Sequence, residues 1–281
     1  MSRLVTQRIG FTFLATVTVL VILPIVVVVG AIIVEGAPAI NAEFLTTAPR
    51  DGMRAGGIWP AIVGTFWLTI GTAIFSVPLG VAIAIYLSEY ARDNRFTRLI
   101  RLAIVNLAGI PSVVYGLFGL GLFVLALQFG SSILAGSLTL SIMTLPVIIS
   151  TAEEALHSVP QSFRTVSISL GGTQWQTIRK VVLPQALPGI LTGVILGLER
   201  AAGETAPILF TAAAFFLPQL PSSVFDKTMA LPYHLFVIST QVPNMPIHIQ
   251  FGTALVLLVF VLTMNLIAAT LRSYYRRKRQ W

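Results

Sequence analysis

The chain has 281 residues, 56% of them hydrophobic and only 10% charged, with a formal net charge of +8. Soluble domains carry roughly 25% charged residues, so this composition excludes a water-facing globule and points to an integral membrane protein. The absence of cysteine excludes disulfides and thiolate chemistry. The basic balance is assigned to lysine and arginine retained on one membrane face, because no aromatic-basic surface accompanies it that would suit nucleic acid.

Six apolar runs are long enough, at about 20 residues each, to be read as crossing helices: Phe11–Val34, Trp59–Tyr86, Leu99–Leu127, Ile133–Ser150, Leu187–Ala214 and Phe251–Leu271. The first follows Arg3 and Arg8 and precedes "GAPA" at 36–39, a faint cleavage-like motif. Its 24 residues exceed the roughly 7–15 of a signal-peptide core, so an uncleaved helix is expected. Pro111 is expected to kink the third. An even number of spans puts both termini on one side. With the N-terminus inside, 14 of the 18 Lys and Arg fall on the inner side, against Arg50, Arg54 and Lys227 outside and Arg200 within the fifth run. The positive-inside rule then gives cytoplasmic N- and C-termini. The terminal "RRKRQW" reads as an anchor on anionic lipid. Residues 1–58 form a tail, first helix and outer loop; 59–271 form the core; 272–281 form a basic tail.

The inner loop 153–185 has internal order. Ser158 and Gln161 have capping-box spacing, as do Thr173 and Gln176. Phe163, Val166 and Leu170 make one apolar face; Trp175, Ile178 and Val182 make another. Gly171 and Gly172 separate the two, and Pro184 is expected to limit the second short helix. Such a loop either packs on its own bundle or serves as a docking platform for a cytoplasmic partner.

In the fifth run Gly189, Gly193, Gly197, Ala201 and Thr205 recur at every fourth position, a spacing that permits close helix approach. Arg200 and Glu204, at i and i+4, lie beside that stripe. A charge at the bilayer centre costs about 2.5–3.5 kcal/mol on insertion scales, so these two form either a structural pair or part of an ion pathway. The planar fork of arginine suits an oxyanion; Glu204 would hold it between passages. Glu199 lies about 100° around the helix from Arg200. In the outer loop 216–250, "MALPYHLFVI" is too short to span; it reads as an interfacial or re-entrant piece contacting an external partner, or as a helix on the membrane surface.

No phosphate-cradling G-x-x-x-x-G-K-[ST], H-E-x-x-H or G-x-S-x-G occurs, and His157, His234 and His248 have no metal-ligand spacing. An enzyme reading has little to stand on, and no cofactor or metal is expected.

"SISLGGTQWQTIRKVVLP" resembles the cytoplasmic signature of ABC-importer permeases, E-A-A-x-x-x-G-x9-I-x-L-P, with its glycine at Gly171 and its I-x-L-P at Val181, Val182, Leu183 and Pro184. Its E-A-A falls on Thr165, Val166 and Ser167, so the family's usual glutamate is replaced by Thr165; "EAL" at Glu154–Leu156 is a decoy, since Pro160 stands where glycine should. "GLERAAGETAPILFTA", "TMALPYHLFVIST" and "GIPSVVYGLFGLGLF" are similar to the A-type inner-membrane permease of phosphate-specific ABC importers, within the binding-protein-dependent transport permease family. The A-R-x-x-G-E-T-A-P pattern maps onto Glu199, Arg200, Gly203, Glu204, Thr205, Ala206 and Pro207, with Glu199 where alanine is common.

The resemblance implies a type I importer bundle of six transmembrane helices with a cytoplasmic coupling loop, in a bacterial inner membrane. It implies a subunit that pairs with a C-type permease, sits on two ATP-hydrolysing subunits and receives phosphate from an external binding protein. The implied pathway residues are Arg200, Glu204, Thr205 and Glu199; the implied ATPase-coupling residues are Thr165, Ser167, Gly171, Gly172, Leu183 and Pro184. A permease for sulfate, molybdate or phosphonate, and a channel or proton-coupled carrier using Arg200 and Glu204, stand as alternatives.

Overall fold

The computed structural model describes residues 3–277, so the "RRKRQW" anchor falls largely outside the described residues. Among the described residues, five helices are long and apolar enough to cross a membrane, and a bent pair makes a sixth crossing if counted as one. In chain order, α1 covers Arg3–Gly36, followed by short α2, Ala42–Thr46, and a two-stranded ribbon pairing Pro49 with Gly56. Next come α3, Trp59–Ile85, α4, Arg95–Ala108, α5, Ser112–Gly119, and α6, Ile133–His157. The remainder is α7, Gln161–Ser169, α8, Gln174–Thr177, α9, Leu183–Gly203, α10, Ala206–Thr211, α11, Leu231–Thr240, and α12, Ile247–Arg277.

Helices α3, α6 and α9 form the centre, with α12 against α9 and α1 against α12. The seam between α6 and α9 follows the small-residue stripe. A Cβ at Gly189 would stand 2.5 Å from the Ala155 methyl, one at Gly197 3.0 Å from Ile148, and one at Gly193 would collide with the Thr151 side chain. Gly193→Leu is therefore expected to cost about 1–3 kcal/mol through overpacking, read as a lower thermal-aggregation midpoint of the purified assembly; Leu196→Ala, on the exposed side of the same helix, should leave that midpoint nearly unchanged.

Two expected spans are broken. Leu99–Leu127 is not one kinked helix: α4 and α5 meet at 103°. Pro111 has no amide proton and pushes Ile110 out of the helical region, while Arg95, Arg98 and Arg101 keep α4 from crossing the hydrocarbon. α5 runs on through a π-helical segment to Ala126 and packs along α6 and α10. The fifth run stops at Gly203, and Glu204 is extended (φ −76°, ψ 135°). Pro207, at the start of α10, would clash with the Gly203 carbonyl in a continuous helix.

Three local expectations are also corrected. Ser158 caps nothing ahead of it; its hydroxyl donates back to the Ala155 carbonyl, and α7 begins on Pro160 without a side-chain cap. The Thr173–Gln176 capping box does form. Pro184 does not end a helix, because α8, a π-helical turn at Ile178–Val182 and α9 run continuously from Gln174 to Gly203, placing Pro184 in the first turn of α9, where a missing amide proton costs least.

α11 does not lie on the membrane surface. Leu231, His234, Val237 and Ile238 are buried among α3, α9, α10 and α12, and the Leu231 amide donates to Thr65 Oγ1 at 2.8 Å. The loop before it caps the start of α6: the Ile133 and Leu134 amides donate to the Asp226 and Val224 carbonyls. Ser222 and Ser223 amides and the Ser222 hydroxyl bond the Asp226 carboxylate and hold it below the usual carboxylate range.

Candidate functional site

The break between α9 and α10 gathers charge inside the bundle. Arg200 stands in the last turn of α9, and its Nε lies 3.4 Å from Glu204 Oε1. That contact is longer than a good N–H···O bond of about 2.7–3.2 Å. The Arg200 side chain is 37% exposed and that of Glu204 17%. The terminal guanidinium nitrogens of Arg200 make no hydrogen bond among the described residues, so the fork is open on the side away from Glu204. Tyr115 is within electrostatic reach of Arg200, but its hydroxyl is committed to the Leu107 carbonyl at 2.7 Å. Thr205, outside both helices, follows Glu204 at the same break. An open, weakly latched guanidinium at a helix break can bind an anion and let it go.

Glu199 is not brought together with this pair. It lines an apolar groove of about 650 Å³ between α3, α9 and α12, where its Oε1 is buried without a hydrogen-bond partner. Adjacent positions on a helix diverge by about 100°, which separates the two charges.

At the other end of the bundle, α7 and α8 form the ordered segment expected from loop 153–185. Gly171 has φ +83° and nothing within 4 Å of an added Cβ; backbone conformation, not crowding, calls for glycine there. Gly172 is confined: a Cβ would stand 2.8 Å from the Ser167 carbonyl oxygen, which accepts from the Gly172 amide. The Ser167 and Thr177 hydroxyls share a 2.8 Å hydrogen bond that ties α7 to α8. Thr165 is exposed and bonds the carbonyl of Gln161 in its own helix. Leu183 packs into the core beside buried Val182. A groove of about 680 Å³, lined by Phe163, Val166, Leu170, Gln176 and Lys180 among others, opens on this surface, and Leu170 is 84% exposed.

One pair escaped sequence reading. Arg164 grips Glu89, which follows α3, with Nη2–Oε1 at 2.6 Å and Nε–Oε2 at 3.1 Å. The same guanidinium donates to the Val159 and Leu156 carbonyls, and Gln174 donates to the Glu89 carbonyl. The partners are 75 residues apart, with no local spacing to betray them.

Residues 76–280 match the family described as the binding-protein-dependent transport system inner membrane component. The chain belongs to this family. It is 35% identical over its whole length to the phosphate transport system permease protein PstA 1 of Mycobacterium tuberculosis, covering 92% of that protein. It is 31% identical to the probable ABC transporter permease protein YqgI of Bacillus subtilis, covering 99% of each. Its fold is similar to a chain of a solved bacterial ABC transporter for import of the acidic polysaccharide alginate, with a TM-score of 0.65, 14% identity, and coverage of 96% and 99%.

As a transport permease of this family the chain is a multi-pass membrane protein that works with an ATPase and a substrate-binding protein. Within that setting the Gly171 turn has a direct test. Proline cannot adopt φ +83° and would delete the amide that donates to the Ile168 carbonyl at 2.9 Å. Gly171→Pro is expected to reduce co-purification of the ATPase at least about tenfold, from roughly 1.4 kcal/mol or more of lost docking free energy. Unchanged co-purification and unchanged uptake would reject the docking role.

Proposed function

We propose that this permease is the A-type subunit of an ATP-driven phosphate importer in a bacterial inner membrane, and that it forms half of the translocation pathway. The observation that carries this reading is the 35% identity over the full chain to a phosphate transport permease. The open fork of Arg200 at the α9–α10 break fits the chemistry, since a planar guanidinium matches a tetrahedral oxyanion in two-point contact.

In this reading the termini are cytoplasmic, residues 59–271 form the core, and a sister C-type permease completes the pathway. Two ATP-binding subunits dock on the Gly171 surface, with Thr165, Ser167, Gly172, Leu183 and Pro184 shaping it. A phosphate-binding protein delivers the substrate outside. ATP is bound and spent on the partner subunits, and this chain holds no cofactor. Closure of the ATPases pushes α7 and α8; the continuous helix from Gln174 carries that displacement to Arg200. Phosphate arriving at the break displaces Glu204 from the guanidinium and binds with Thr205 near. The returning carboxylate then competes it off.

Uptake of labelled phosphate by vesicles holding the whole assembly tests this. The expected result is uptake that stops when the ATPase is inactivated, survives collapse of the proton gradient, and resists excess sulfate. Uptake that follows the pH gradient without ATP would indicate a proton-coupled carrier, and equal competition by sulfate or molybdate would indicate a broader oxyanion permease.

A further inference from the structure

Helix α4 is poorly explained as part of a span. Its level is fixed by Arg101, which donates to the Leu87 carbonyl and pairs with Glu153 at 2.8 Å; these partners lie at the C-terminal ends of the Trp59–Tyr90 and Ile133–His157 spans. Its direction is set by the 103° bend to α5. Because α5 packs along α6, α4 runs near the membrane plane. It touches the bundle through Thr97, Ile100 and Ile104, the first buried and the others packed on the apolar cluster around Leu87 and Leu156.

The two free flanks differ. At about 100° per residue, Phe96, Leu99, Ala103 and Leu107 share one flank, and all four are exposed. Arg95 and Arg98 lie on the other, with the exposed Leu102 between them and the exposed Val105 beside Arg98, continuing the exposed Arg92 before the helix. Arg92 and Arg95 make no ion pair among the described residues, and Arg98 has one at 3.7 Å to Asp93, with both side chains 77% exposed. A helix lying at a span boundary, wholly apolar on one flank and carrying its arginines on the other, is built for a membrane interface.

We infer that α4 is an interfacial helix seated in the cytoplasmic leaflet, with Phe96, Leu99, Ala103 and Leu107 among the acyl chains and Arg92, Arg95 and Arg98 holding anionic lipid headgroups. The leaflet rests on the orientation proposed above; the seat itself does not. The consequence is that anionic lipid braces the Arg101–Glu153 contact beside the coupling segment.

The absence of native cysteine makes the test direct. Spin labels on single cysteines at Leu99, Ala103 and Leu107, and at Arg95, Arg98 and Val105, are measured in the complete assembly in phosphatidylglycerol-containing liposomes. The first three should collide with oxygen more than with a water-soluble nickel chelate, at about 5–10 Å depth; the second three should show the reverse. Chelate access on both flanks, or exclusion of both probes from the apolar flank by a protein neighbour, would overturn the inference. As a second readout, the triple variant Arg92→Gln, Arg95→Gln, Arg98→Gln should retain less phosphatidylglycerol on purification, by about fivefold per arginine; unchanged retention would overturn the headgroup assignment. Labelling of Arg98→Cys by an impermeant maleimide outside sealed right-side-out vesicles would refute the cytoplasmic leaflet and the proposed orientation while leaving the two-flank pattern standing.

Discussion

Arg200→Gln should lower phosphate uptake by about 10- to 100-fold while the assembly still forms. The size follows from a charge-assisted hydrogen bond, worth about 1.5–3 kcal/mol, lost where the anion passes. The intact assembly follows from geometry: a side chain 37% exposed, in one 3.4 Å contact, contributes no more than about 1 kcal/mol to stability. Glutamine keeps two polar atoms and removes the charge. Glu204→Gln makes the complementary case. With the latch gone, the anion binds more tightly and leaves more slowly, so KM and maximal rate should fall together, whereas Arg200→Gln should raise KM. Initial-rate uptake over a range of phosphate concentrations separates the two. Normal uptake in Arg200→Gln would remove the residue from the pathway.

The second large effect concerns Arg164. Its side chain is 12% exposed and that of Glu89 8%, so deleting one partner strands a buried charge, at about 3–5 kcal/mol. Arg164→Ala should lower the melting temperature of the assembly and abolish stimulation of ATP hydrolysis by the loaded binding protein, because α7 would no longer be fastened to Glu89, next to the C-terminal end of α3. The charge-swapped pair Glu89→Arg with Arg164→Glu should not rescue it. A glutamate at 164 cannot donate to the Val159 and Leu156 carbonyls that Arg164 now satisfies, and would repel them. Full rescue by the swap would show that charge alone mattered. This pair also bears on Thr165, where the related signature carries glutamate. The ion pair fastening α7 here is made by the neighbouring residue, Arg164, and is largely buried, while Thr165 itself is exposed.

Features set by long apolar runs or by local backbone rules were readable from the chain. The crossing helices, the α6–α9 seam through Gly193 and the turn at Gly171 belong to this class. So does the Thr173–Gln176 cap, where both partners lie within one turn. What escaped depends on contacts distant in sequence or on competition between signals. The Leu99–Leu127 run has the hydropathy of a span, yet Pro111 and the arginines of α4 divide it. The closeness of Arg200 and Glu204 is legible in their four-residue spacing, but the continuous helix that spacing suggests is one that Pro207 does not allow; the pair forms across a break, with Glu204 extended. Glu199 sits in the same short motif as Arg200 but serves a different face. Arg164–Glu89 had no local signature, and the burial of α11 could not be read because ten apolar residues between prolines suit a surface and an interior equally.

The central claim is that Arg200 meets a travelling anion at the α9–α10 break. The most direct measurement places a cysteine at Thr205 in this cysteine-free chain and follows its reaction with negatively and positively charged methanethiosulfonates across the nucleotide cycle. The account predicts faster reaction with the negative reagent, protection by phosphate, and loss of both in the Arg200→Gln background. A thiol that reacts in no nucleotide state, or that shows no preference for the negative reagent and no protection by phosphate, would contradict it.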